Sequence, residues 1–309
     1  MDGQILTVPI SDISIDPSGR RKNRPLEDRI DNLVKSVSNR VRISSKPRSE
    51  RKVVIVLYQY GEMGTIGGAA GLDSIESTAN ILRSLKANGY RVEDMPETGR
   101  ELADRLLSSV NNDLGCLSSE AIEFMAPGLM DVKTYSKYYS ELPQYTRTEM
   151  ESQWGKPMGD VMTDKGCAVI PGIVLGNILV TVQPVRTWND RVERMYHDPD
   201  LYPPHQYLAF YRWLRDEFDA DAMIHVGTHG SLEWLPGKSI GLSSKCCPSF
   251  IQDGMINIYP YLIDDPGEGI QAKRRSQAVL IGHMCPTMTR CGQYDDIGEV
   301  DTPLQEYLR

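Results

Sequence analysis

Lys52-Val-Val-Ile-Val-Leu-Tyr58 is an unbroken apolar run with a cation at its head and a glycine-rich stretch close behind it. Polar and apolar residues do not alternate in it, so neither face is suited to water, and a β-branched run of this kind fits a central parallel strand covered on both sides. The glycines Gly61, Gly64, Gly67, Gly68 and Gly71 then predict a loop, and Asp73-Ser-Ile-Glu76 has the form of a capping box. Apolar residues recur at helical spacing from Ile75 to Asn88 before Gly89 stops the helix. Strand, loop and helix form a β-loop-α unit, which predicts an α/β fold.

A helix N-terminus beside glycines suits an anion, because its N–H groups are unpaired and its dipole is positive there. The spacing is neither GxGxxG nor GxxxxGK[ST], however, so the loop is read as a ligand-facing turn and not as a nucleotide site. Further along, Ala168 to Val182 reads as buried strands: Pro171, Gly172, Gly176 and Asn177 interrupt it, and it is shorter than the roughly 20 residues of a spanning helix. An amphipathic helix from about His205 to Phe218 leads into the strand Ala222-Met-Ile-His-Val226, which opens on Gly227-Thr-His-Gly230. In doubly wound sheets the ligand crevice lies at such strand ends.

A chain of 309 residues predicts two domains of ordinary size. The expected division is a basic lead-in or linker over 1–52, a first domain over 53–160 and a second over 161–309, both Rossmann-like with parallel sheets. Seven Lys or Arg between Lys35 and Lys52 are expected to form a solvated face. A cluster of Gly, Pro and Asp from Trp154 to Gly166, after a segment carrying Tyr135, Tyr138, Tyr139 and Tyr145, marks the inner boundary. The net charge of -8 argues against general nucleic-acid binding. Six cysteines without a CxxC pair, and no signal-peptide pattern in the first residues, predict a cytoplasmic protein with structural thiols.

Three segments carry candidate chemistry. In His225-Val-Gly-Thr-His-Gly-Ser-Leu-Glu-Trp-Leu-Pro-Gly-Lys238, imidazoles and a carboxylate suit a divalent metal or proton transfer. A helix starting near His229 would set His229 and Glu233 on one face, one turn apart. His225 reads as a hydrogen-bonded strand histidine, with metal ligation the alternative. In Asp264-Asp-Pro-Gly-Glu-Gly-Ile-Gln-Ala-Lys-Arg-Arg275, a tight turn is expected before a helix with Lys273, Arg274 and Arg275 near its start. Cations there would oppose the dipole, so either an anionic ligand or the carboxylates Asp264, Asp265 and Glu268 would answer them. Tyr202-Pro-Pro-His-Gln-Tyr-Leu-Ala-Phe-Tyr211 predicts an aromatic-rich helix whose stripe is more often core than ligand platform. Gln183 and Arg186 follow an apolar strand and are candidate polar groups at its end.

GTHGSLEWLPGK, PPHQYLAFY, DDPGEGIQAKRR, AAGLDSIES and PGIVLGN with the following QPVR resemble, in order and over nearly the whole chain, segments of the large CobN-type cobaltochelatase subunits and, less closely, of magnesium chelatase H subunits. The Glu-Trp-Leu-Pro-Gly-Lys form looks like the cobalt branch. Two departures are Thr187, where the family often has glycine, and Cys247, where it commonly has an aromatic. Members of the family are far longer, so the resemblance implies an internal fragment or a shortened homologue. It also implies a subunit that binds tetrapyrrole and metal, inactive without AAA+ partners (of the CobS/CobT or magnesium-chelatase I/D type) that use the ATP; this chain has no Walker A sequence. The expected reaction is insertion of Co2+ into a corrin precursor of the hydrogenobyrinic acid a,c-diamide type. Alternatives are a magnesium (protoporphyrin IX) or nickel chelatase component, or a non-catalytic tetrapyrrole-binding module. His229 and Glu233 are then expected to be catalytic and metal-facing, with Gln183, Arg186, His205, Lys238, Glu268, Gln271, Lys273, Arg274 and Arg275 binding the ring. No nucleic acid and no membrane span is expected.

Overall fold

The computed structural model describes residues 7–59, 66–69, 71–115, 117–186, 198–227, 232–263 and 265–283. The chain begins with an antiparallel hairpin, β1 (Ser11–Ile15) and β2 (Arg21–Pro25), followed by α1 (Glu27–Ser45). The expected lead-in is therefore folded, and it docks on residues far along the chain. Arg29 donates to Ser249 Oγ at 3.1 Å, and Lys35 and Lys46 pair with Asp253 and Asp221 at 2.9 and 2.7 Å. Asp221 is 1% exposed and also accepts from the Lys52 N–H, so part of the basic run is tied to the body.

The decisive run forms β3 (Val53–Leu57), and α2 (Ser74–Ala87), α3 (Gly99–Ser108) and α4 (Ser119–Met125) follow. The Asp73 carboxylate caps α2 by accepting from Glu76 N–H at 2.9 Å. Only half of the box closes, because Glu76 accepts instead from Gly99 N–H and so joins α2 to α3. Next come β4 (Gly128–Asp131), α5 (Val132–Ser140), α6 (Gln144–Trp154), β5 (Thr163–Asp164), β6 (Cys167–Ile170), β7 (Ile173–Leu175) and β8 (Ile178–Val182). The remainder is α7 (His205–Asp216), β9 (Ala222–Val226), α8 (Cys247–Gln252), β10 (Ile256–Leu262), α9 (Pro266–Arg275) and β11 (Val279–His283).

One six-stranded sheet, ordered β11-β10-β9-β3-β8-β7, is parallel except for β7, which turns back on β8. Among the described residues there is one parallel sheet where two parallel-sheet domains were expected. β3 lies between β8 and β9, and β4 pairs with β6 in a three-stranded antiparallel sheet, so both sheets draw strands from either side of residue 160. The physical reason is that, among the described residues, 53–160 supplies only one parallel strand, which pairs with β8 and β9 on its two sides. Period-two packing follows. Val54 and Val56 face α7 and the Tyr135, Tyr139 and Phe210 cluster, while Val53, Ile55 and Leu57 face Leu82, Leu102 and Leu106 of α2 and α3.

Helix α9 lies close over β10 because Gly269 has no side chain: a Cβ there would fall 2.7 Å from the Tyr261 ring. Gly269→Ala is expected to destabilise the fold by about 1–3 kcal/mol through overpacking, read as a lowered urea midpoint at unchanged slope. Among the described residues no helix is long and apolar enough to cross a membrane.

Candidate active site at the carboxyl edge of the sheet

Parallel strands β3, β8, β9 and β10 end on the same edge, where Gln59, Gln183 and Gly227 follow the first three and α9 begins just after the fourth. His229 lies outside the described residues, as do Gly61, Gly64 and Asp264. The helix expected to carry His229 and Glu233 is replaced, within the described residues, by a short 3-10 turn over Leu232–Trp234. Pro236 explains the shortness, since a proline disfavours helical geometry at the residue before it and supplies no N–H.

Glu233 on this turn is 3% exposed, and Glu268 in the first turn of α9 is 8% exposed. Burial, and then the charges of Glu233 and Asp265, push the Glu268 carboxyl up to about 8. Its Oε2 is buried with no hydrogen-bond partner among the described residues. Two carboxyls that interact in this way, one of them neutral near pH 7, have the chemistry to act as an acid–base pair or as ligands to a divalent cation. Among the described residues no group of three or more His, Cys, Asp or Glu is arranged to hold a metal ion.

The three cations of α9 stand in its last turn, not its first. The helix starts at Pro266, whose fixed φ suits a first helical position, so the cations complement the dipole where they were expected to oppose it. Arg275 is 9% exposed and donates from Nη1 to Glu233 O at 2.8 Å and from Nη2 to Leu235 O at 2.7 Å. It is committed to fixing the Glu233 turn and is not presented to a ring carboxylate. Lys273 and Gln271 are partly buried, and Arg274 and Lys238 are exposed.

Four other expected ligands are engaged by the protein's own groups. His205 is 2% exposed, with Nε2 donating to Gly155 O at 2.9 Å and Nδ1 accepting from Tyr135 Oη at 2.8 Å, so no ring nitrogen is left for a tetrapyrrole. Arg186 is fully buried and donates to Asp198 O and Leu201 O. His225 uses Nδ1 on Asn257 Oδ1 at 2.8 Å and Nε2 on Tyr211 Oη at 2.9 Å, which removes it as a metal ligand. Gln183, 3% exposed, donates to the hydroxyls of Tyr207 and Tyr211. Asn257 continues to Ser276 Oγ at 3.0 Å, so one polar chain ties together α7, β9, β10 and the end of α9. Sequence reasoning missed Tyr211 and Asn257 because an aromatic on an apolar stripe and an asparagine in a strand carry no local sign of a shared partner.

Burial lowers the His225 imidazole to about 4, against a small opposing effect of Asn257. The unfolded chain therefore takes up this proton first as pH falls. The stabilisation is complete above the unfolded value near 6.5 and is lost toward pH 4, a contribution of about 3 kcal/mol. Denaturant titrations across this window should show that slope in the parent and not in His225→Gln.

The chain matches the CobN/Magnesium Chelatase family over residues 1–309. It is 38% identical to the aerobic cobaltochelatase subunit CobN of Pseudomonas aeruginosa, over 99% of this chain and 25% of that protein. It is 33% identical to the magnesium-chelatase H subunit of Rhodobacter capsulatus, over 91% of this chain and 23% of that protein. The solved catalytic subunit of cobaltochelatase from Mycobacterium tuberculosis superposes with a TM-score of 0.83 at 34% identity, covering 99% of this chain and 26% of that one. This chain thus spans about a quarter of the length of these relatives. The sequence motifs, the fold and the whole-length match agree: the chain belongs to the CobN/magnesium chelatase family.

Proposed function

We propose that this chain is the tetrapyrrole- and metal-binding part of an ATP-dependent chelatase that inserts Co(II) into a corrin precursor of the hydrogenobyrinic acid a,c-diamide type, with AAA+ subunits using the ATP. The observation that carries the reading is the buried Glu233 and Glu268 pair, which follow β9 and β10 at the carboxyl edge of the sheet. Insertion removes two inner N–H protons from the ring and strips water from the metal. The Glu233 carboxylate would accept the two ring protons one at a time and pass each to bulk water, and Glu268 would release its own proton to water as a divalent cation comes near, leaving two carboxylates that could hold the metal substrate. Glu233 would serve the macrocycle together with His229, which lies outside the described residues, while Gln271, one turn along α9 from Glu268, and the exposed Lys238 would meet the ring's edge. Arg275 acts as a positioning residue through the backbone of the Glu233 turn. Cobalt is favoured by the Glu-Trp-Leu-Pro-Gly-Lys form and by the higher identity to the cobaltochelatase subunit.

The test uses the full-length subunit with AAA+ partners, ATP and ring, with Co2+ and Mg2+ supplied separately. Insertion of cobalt in preference to magnesium is the expected result. Ring binding without insertion of either metal would make the chain a binding module and defeat the proposal.

A further inference from the structure

A polar cavity of about 30 Å³ lies between α1, α8 and α9. That exceeds the roughly 10–15 Å³ that a single water needs. Its wall includes Arg29, Arg274 and Arg275 beside Asn32, Ser249 and Gln252, and no aspartate or glutamate lines it. Arg29 is 4% exposed and Arg275 9%. Asp28, the carboxylate that answers Arg29, sits outside the wall and engages only its Nε, at 3.1 Å. Nη1 of Arg29 goes to Ser249 Oγ, and Nη2 has no hydrogen bond among the described residues. Arg275 spends both Nη groups on backbone carbonyls and meets no carboxylate there.

Guanidinium groups gathered around one cavity repel one another, and buried charge is tolerated only when paired. A planar, forked donor matches the oxygens of a carboxylate or phosphate. We infer that this cavity is a binding site for a small oxoanion head, held by Arg29 and Arg274 with Ser249, Asn32 and Gln252 as neutral polar neighbours. Arg274 is the exposed cation of the wall and Arg29 the most buried one. The inference is independent of the chelatase reading. Its consequence for the site is local: the same wall contains Arg275, which holds the Glu233 turn, so an occupied cavity stiffens that turn.

The experiment is calorimetric titration of the purified chain with sodium phosphate and, separately, sodium acetate, at ionic strength held constant with chloride. The thermal-unfolding midpoint is followed in parallel. Saturable binding of at least one anion, with a raised midpoint, is expected in the parent; which anion binds more tightly distinguishes a phosphate source from a carboxylate source. Affinity should fall about tenfold or more in Arg29→Gln and in Arg274→Gln, as for loss of one charge-assisted hydrogen bond. Arg274 is exposed, so that variant keeps the test decisive if Arg29→Gln fails to fold. No saturable effect beyond chloride, or parent-like affinity in Arg274→Gln, overturns the inference.

Discussion

Glu233→Gln is expected to slow metal insertion by about 10²–10⁴, the range for loss of a general base, while ring affinity changes little. The substitution keeps the size of a side chain that is 3% exposed, so the turn and its packing survive. What is lost is the charge that accepts a ring proton and then meets the metal. A second consequence appears at Glu268, whose carboxyl is pushed up by burial first and by Glu233 next. With Glu233 neutral, Glu268 ionises more easily, so any residual insertion should have its alkaline-rising limb displaced to lower pH. Rates measured at saturating ring and metal in the full-length subunit with its partners check both effects. A parent-like rate with a parent-like pH profile would remove Glu233 from the chemistry.

Arg275→Ala is expected to destabilise the protein by about 3 kcal/mol, because two backbone carbonyls lose charged donors in a buried setting. Those carbonyls belong to Glu233 and Leu235, so the damage falls on the turn that carries the candidate carboxylate. Arg274→Ala, at the exposed neighbouring position, should change stability by no more than about 0.5 kcal/mol. Urea unfolding of the two variants side by side separates a structural arginine from a surface one. Equal, small effects would mean that Arg275 does not hold the turn.

Strand β3 was legible because it is buried on both faces and so leaves an unbroken apolar run. The start of α2 was legible because an N-cap is a local device. His225 was also readable as strand core. Pairing order was not, since β3 meets β8 and β9 only through contacts between distant parts of the chain. The role of Lys273 to Arg275 turned on where α9 starts: a shift from a turn to a helix at Asp265-Pro266 moves these cations from the first turn to the last and reverses their electrostatic meaning. Glu268 was legible as polar and near a turn, but its partnership with Glu233 arises only when α9 packs beside the 3-10 turn. His205 and Arg186 looked like ligands because sequence shows a polar side chain and not the carbonyls that already engage it.

The position of a bound ring tests the central claim most directly. A structure of the full-length subunit with a metal-free tetrapyrrole should place the macrocycle face over Glu233 and Glu268 at the carboxyl edge of the parallel sheet, with Lys238 and Gln271 at its rim. A ring seated elsewhere, with both carboxylates out of reach of its nitrogens, would contradict the account.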